Sequence, residues 1–241
     1  MKLVLLAFFC SISTLLTAQV DAYKTADKLF NDKQYQASIK LCTSELHLLN
    51  SKDTVFEKFL SLRANCYLEI HEYDQSINDY INLIKLYPKK TMYFTGLSYL
   101  FGEKKQYNKS IDILNKALNI DAKDIYVLNN LSYYSSQLNK FDDAIRYAND
   151  GLRHTGDPQW RGALLNNRGY GYIGLGKYSD ALDDINESIK LNPDNSFAYC
   201  YRAIANIHLK KMETVCSDLK KAKDLGAIGL TKDLIAENCK N

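Results

Sequence analysis

The chain has 241 residues, 46% of them hydrophobic and 24% charged, values of a folded chain rather than a disordered one. Its formal charge of +3, with no long run of one sign, excludes the electrostatic footprint of a nucleic-acid binder. Only 3 prolines and 11 glycines interrupt it, which predicts long helices with short connections, because both residues disfavour helix interiors.

At the start, Lys2 supplies a minimal positive segment. Leu3 to Leu16 form an almost unbroken apolar run, and Thr17-Ala18-Gln19 offers a small residue at the expected cleavage point. Residues 1–18 read as a secretory signal peptide cut after Ala18, since a spanning helix needs about 20 apolar residues. A retained membrane anchor is the competing reading. Cys10 lacks the preceding small residues of a lipoprotein signal, so no lipid is expected there. The mature chain is expected to be exported and to carry no transmembrane segment. The Asn-Xaa-Ser matches at Asn108, Asn130 and Asn186 fall inside expected helices, which favours a bacterial periplasm or cell surface over a eukaryotic secretory lumen.

Self-similarity governs the remainder. The segment Gly162 to Asn195 holds Asn-Asn-Arg-Gly-Tyr, then Gly176-Lys177-Tyr178, Ala181 and Leu191-Asn192-Pro193. It resembles the tetratricopeptide repeat, a helix-turn-helix unit of 34 residues. The family pattern places small residues at repeat positions 8 and 20, an aromatic at 17 and a proline near 32. Gly169, Ala181, Tyr178 and Pro193 stand there. In chain order the same register gives units at 19–52, 57–90, 91–124, 125–158, 162–195 and 196–229. Position 8 holds Ala26, Ala64, Ser98, Ser132, Gly169 and Ala203, and position 20 holds Ser38, Ser76, Ser110, Ala144, Ala181 and Val215. Two helices crossing closely at these positions tolerate nothing much larger. Position 17 holds Tyr35, Tyr73, Tyr107, Phe141, Tyr178 and Met212. The inserts Asp53–Phe56 and Gln159–Arg161 read as longer connections. Beyond residue 229, Leu230, Leu234, Ile235 and Cys239 predict a capping helix over 230–241, with Thr231 as its N-cap. The resemblance implies an all-α, right-handed α-solenoid of six helical hairpins with a C-terminal cap.

Position 7, usually apolar in the family, is Arg63, Arg168 and Arg202 in three units, and position 23 of the same units is Asp79, Asp184 and Asp218. The other units carry Thr25/Leu41, Leu97/Ile113 and Leu131/Tyr147. Burying a guanidinium alone is costly, so three Arg–Asp pairs are expected between the helices of those units. After cleavage five cysteines remain: Cys42, Cys66, Cys200, Cys216 and Cys239. They read either as small core residues or, in an oxidising compartment, as disulfide partners. Cys216 and Cys239 flank a turn between antiparallel helices and are one candidate pair. Cys42 and Cys66 are the other.

The residues carry no nucleophile, phosphate-loop or metal-ligand spacing, so neither catalysis nor a metal or cofactor is expected. His47, His71, His154 and His208 are scattered through the repeats. The resemblance implies that first helices line a concave face through positions 2, 5, 9, 12 and 13. Tyr99, Tyr133 and Tyr170 at position 9, beside Thr95, Asn129 and Asn166 at position 5 and with Tyr126 flanking, then suit an extended peptide or protein segment. The family's carboxylate clamp is not implied, because positions 5 and 9 hold no Lys or Arg. A glycan-binding accessory protein, or a regulatory domain whose site the spacing does not reveal, are the alternatives. The tyrosines could equally pack on neighbouring helices.

Overall fold

The computed structural model describes residues 2–51 and 53–239, with side chains from residue 17 onward apart from that of Thr54. The side chains that define the leader lie almost wholly outside this part. Thirteen helices and no strand occur among the described residues. They fall into two compact units, residues 1–104 and 105–241. The N-terminal unit contains α1 (Lys2–Asn31), α2 (Tyr35–Leu48), α3 (Thr54–Glu69), α4 (Tyr73–Leu86) and α5 (Thr91–Glu103). The C-terminal unit contains α6 (Tyr107–Leu118), α7 (Ile125–Gln137), α8 (Phe141–His154), α9 (Pro158–Gly174) and α10 (Tyr178–Leu191). It is completed by α11 (Ser196–His208), α12 (Val215–Asp224) and α13 (Ile228–Asn238). In each unit every helix packs on the next in sequence, and α3 on α1, α9 on α7 and α11 on α9. This is the stacked-hairpin arrangement of an α-solenoid, in which no hairpin buries its apolar face alone.

The turn inside each hairpin has one geometry. Lys33, His71, Lys105, Asn139, Gly176 and Lys210 all stand at repeat position 15 and all have φ between 56° and 73°. The following amide reaches back five residues in five of these turns, for example from Gln34 to the Leu29 carbonyl at 2.8 Å and from Lys177 to that of Tyr172 at 2.9 Å. The pattern satisfies the last carbonyls of the first helix and reverses the chain. Only one hairpin places glycine at this left-handed position, although glycine alone adopts it without a steric cost.

Where the helices cross, position 20 meets position 8. The Ser38 hydroxyl donates to the Ala26 carbonyl and that of Ser76 to the Ala64 carbonyl, both at 2.8 Å. In the 125–158 hairpin the roles are reversed, and Ser132 donates to the Ala144 carbonyl at 2.8 Å. All six residues are fully buried, so small size and a satisfied hydroxyl are required together. Gly169 is tighter still, since a Cβ there would lie 2.7 Å from Ile185.

Three hairpins contain an ion-pair clamp. Arg63 donates through Nε and Nη2 to the two carboxylate oxygens of Asp79, both at 2.8 Å. Arg168 does the same to Asp184, at 2.6 Å twice, and Arg202 to Asp218, at 2.8 and 2.6 Å. The remaining Nη1 of each reaches the preceding hairpin, at Thr43 Oγ1, Asn149 Oδ1 and Asn186 Oδ1. Each clamp therefore fastens two helices of one hairpin and one helix of its neighbour. Its fork geometry suits arginine and not lysine. Hydrogen bonds to Asp184 and Asp218 hold the Arg168 and Arg202 guanidinium groups above even their usual high pKa, against the opposing effect of burial.

Several boundaries differ from the sequence reading. Gln159–Arg161 is not a connection but part of the first turns of α9, started by Pro158 and capped by the Asp157 carboxylate, which accepts from the amides of Gln159 and Trp160. Thr54 to Phe56 likewise belong to α3. Thr231 is not an N-cap. It is fully buried inside α13, where its hydroxyl donates to the Ala227 carbonyl at 2.9 Å.

The cysteines divide. Cys216 on α12 and Cys239 after α13 are disulfide-bonded, with Cα atoms 5.6 Å apart. Cys42, Cys66 and Cys200 are buried free thiols. The candidate pairing of Cys42 with Cys66 is therefore corrected. Both belong to one core cluster with Ala26, Val55 and Phe59, and both sulfurs lie beside the Ser38 hydroxyl as space-filling groups. Burial, reinforced by Cys66, pushes the Cys42 thiol up to about 12, and burial pushes Cys200 up to about 11.

Candidate binding face

The residues singled out in the sequence occupy both units. In the N-terminal unit, Tyr99 on α5 is 46% exposed, and the Thr95 hydroxyl is spent locally on the Met92 carbonyl at 2.8 Å. The other five are in the C-terminal unit, on α7 and α9.

On α7, Tyr126, Asn129, Asn130 and Tyr133 recur at helical spacing and so share one face. Tyr126 is 57% exposed and Tyr133 39%. Asn129 is engaged, because Asn167 on α9 donates through Nδ2 to both its backbone carbonyl (3.3 Å) and its Oδ1 (3.0 Å). Asn166, also on α9, is 8% exposed, and its Oδ1 is buried without a hydrogen-bond partner. Tyr170 differs from the expectation of a free ring. One of its faces stacks on Tyr201 of α11, with centroids 4.5 Å apart and planes within 15°, and Phe141 meets it edge-on. The Tyr201 hydroxyl is held protonated by burial and then by its neighbours Tyr170 and Tyr133.

Three further aromatics were missed by the repeat pattern. Trp160, half-buried, packs edge-to-face on Tyr126 with centroids 4.3 Å apart. It stands in the segment read as a connection, and the Asp157-Pro158 pair was the signal for a helix start. On α11, Phe197, 44% exposed, stands at the repeat position of Tyr126, and Tyr201, 7% exposed, stands three residues before the repeat position of Tyr133 and Tyr170. The result is an aromatic band at Tyr126 and Trp160, a row of amides at Asn129, Asn130, Asn166 and Asn167, and a second band at Tyr133, Tyr170 and Tyr201.

Charge is sorted between the two sets of helices. α7 contains no Asp, Glu, Lys or Arg, and α9 and α11 contain no acid. Arg168 and Arg202 are consumed in clamps, and His208 lies flat on Tyr178 at 4.3 Å, whereas Arg161 near the start of α9 is exposed. The second helices α8, α10 and α12 carry acids and bases throughout.

Elsewhere, two open clefts of about 380 and 360 Å³ lie at hairpin turns of the N-terminal unit, one lined by Ile70 to Gln75 with Lys104 and one by Lys33 to Ala37 with Ile70. In the first, polar groups are already paired, His71 with the Tyr73 hydroxyl and Lys104 with Asp74. Among the described residues no group of three or more His, Cys, Asp or Glu could hold a metal ion. No helix among them is long and apolar enough to cross a membrane.

Comparison with known proteins agrees with this architecture. Two tetratricopeptide repeat family models match, at residues 162–195 and 93–124. Heat shock protein STI1 of Saccharomyces cerevisiae is 41% identical over 64 residues, 27% of this chain and 11% of that protein. The chain thus spans only a small part of that curated relative. Among solved structures, the Cut9–Hcn1 hetero-tetramer of APC/C is similar over 92% of this chain and 43% of its own, with a TM-score of 0.77 and 15% identity. A tetratricopeptide repeat protein from Parabacteroides merdae covers 92% of this chain and 84% of its own, with a TM-score of 0.69 and 19% identity. YrrB, described as a TPR protein with an unusual peptide-binding site, covers 80% and 96%, with a TM-score of 0.57 and 15% identity.

Proposed function

We propose that this chain, a tetratricopeptide-repeat protein, is a non-catalytic scaffold that acts outside the cytoplasm and holds a segment of a partner protein against the first helices of its C-terminal unit. The observation that carries the reading is the exposure of Tyr126, Tyr133 and Phe197 on helices otherwise stripped of free charge. Large exposed aromatics around amides are the composition of an interface core, and their removal from water on binding supplies the driving force. The peptide-binding site named for YrrB, a protein of similar fold, supports a ligand of the same kind. Export is supported by the apolar run Leu3 to Leu16 and by the disulfide geometry of Cys216 and Cys239, which suits an oxidising compartment.

A photo-crosslinking residue placed at Tyr126 or Tyr133 in the native host tests the face. Adducts with a partner protein are expected there and not from Lys190 on α10. Equal yields from all three positions would defeat the proposal. Export is tested by sequencing the N-terminus of the protein isolated from that host. The expected first residue is Gln19, and retention of residues 1–18 would overturn that part.

A further inference from the structure

We infer that the mature chain is closed covalently at its first residue: the α-amine of Gln19 attacks its own side-chain carboxamide, forming an N-terminal pyroglutamyl ring and releasing ammonia. This rests on the export reading just given, which makes Gln19 the first residue, and adds a modification to it.

The residue type sets the chemistry. A cut after Ala18 frees the α-amine of Gln19, whose carboxamide carbon Cδ stands at the end of its own Cβ–Cγ arm. The N–Cδ bond that forms closes an unstrained five-membered ring. The Cδ–Nε2 bond breaks, and Nε2 leaves as ammonia with the one proton that the amine gives up. No oxidant, reductant or co-reactant is needed. Holding nucleophile and carbonyl within one residue replaces a bimolecular step by a unimolecular one. An α-amine titrates at about 7.7–8.0, so near neutral pH a sizeable fraction of it is the neutral nucleophile, unlike a lysine amine. Asparagine in the same place would need a strained four-membered ring and does not follow this course.

The fold leaves Gln19 free to react. α1 runs unbroken from Lys2 to Asn31, through the cut point. Among its described side chains, packing on the first hairpin begins only at Ala22 and Tyr23. Tyr23 meets Phe59 edge-on at 5.5 Å, and Ala26 is the first to be fully buried. Ala18, Val20 and Asp21 are exposed and Gln19 is half-buried. Loss of residues 1–18 removes the carbonyls that the amides of residues 19–22 would meet four residues back, so the new first turn is untied. A free ammonium there would face the positive end of the shortened helix. Asp21, the nearest acid in sequence, is already paired with Lys24 at 3.0 Å. Ring closure removes that like charge. It also removes the amine that exopeptidases require, which protects a chain released among the peptidases outside the cytoplasm.

The test uses the protein isolated from its native host, with an isotope-labelled peptide of residues 19–31 added at lysis to subtract ring closure during work-up. Tandem mass spectrometry of the N-terminal peptide is expected to find most molecules starting at position 19 and lighter by one ammonia. Gln19→Asn should start at the same position and keep its full mass. A broad aminopeptidase should trim Gln19→Asn and leave the natural chain intact until pyroglutamyl aminopeptidase is added. A start at Gln19 with a free amine, or equal trimming of the two chains, would overturn this inference and leave export standing. Retention of residues 1–18, or a start at any other residue, would overturn the inference together with the cut on which it rests.

Discussion

Substituting Asp184 by alanine removes two hydrogen bonds of 2.6 Å from Arg168 and leaves its guanidinium with the Asn149 oxygen, also at 2.6 Å, and the Tyr172 ring 5.9 Å away. The Asp184 side chain is 8% exposed and that of Arg168 23%. Breaking a buried pair by deleting one partner costs about 3–5 kcal/mol. The guanidinium keeps nearly a quarter of its surface in water, so the lower end, about 3 kcal/mol, is expected. Removing both charges is a different perturbation. The chain itself uses Ile81, Leu97 and Ile113 at the repeat positions that Asn149, Arg168 and Asp184 occupy. Replacing the three by that apolar set removes both charges together and leaves no guanidinium unpaired, and should change stability by less than about 1.5 kcal/mol. Urea unfolding followed by far-UV circular dichroism reads both, with hydrogen exchange of α9 and α10 to place the loss. Urea is preferred to guanidinium chloride, whose ions screen the pair. If Asp184→Ala proves as mild as the triple exchange, the clamp is not what holds this hairpin to its neighbour.

Reducing the Cys216–Cys239 bond, which closes a sequence separation of 23, should destabilise the cap by about 3 kcal/mol on the chain-entropy estimate, read as faster hydrogen exchange in α13 and unchanged exchange in α7. An unchanged α13 would show that Thr231, Leu234 and Ile235 hold it unaided. Lys33→Gly relieves a left-handed residue with φ of 59° and should raise stability by about 0.5–1 kcal/mol in the same urea assay; a loss would mean that the lysine side chain contributes more than the backbone strain. Cys42 and Cys200 have folded thiol pKa values of about 12 and about 11, above the ordinary 9.0, so the folded state holds their protons longer than the unfolded state does. Their stabilising contribution is complete below pH 9 and is lost as the pH rises towards those folded values, so the urea midpoint should fall across that window and fall less in Cys42→Ala and Cys200→Ala.

Contacts inside a hairpin recur at fixed separations in the sequence, 16 residues for each Arg–Asp pair and 12 for each Ser–carbonyl bond at the crossing. A helix, a turn of common geometry and a second helix fix them, so residue spacing alone specifies the all-α hairpins and the small residues they require. The common left-handed turn at position 15 was hidden, because lysine, histidine and asparagine stand where only glycine would announce it. Contacts between hairpins depend on how far each helix extends and at what angle it stacks, and neither quantity is written in the repeat pattern. Tertiary structure alone decided that Tyr170 lends a face to Tyr201, that the first turn of α9 carries Trp160 onto Tyr126, and that each clamp arginine spends its last nitrogen on the preceding hairpin. It also left Cys42 and Cys66 as free thiols within one core cluster, since a disulfide demands a specific geometry that residue spacing does not reveal.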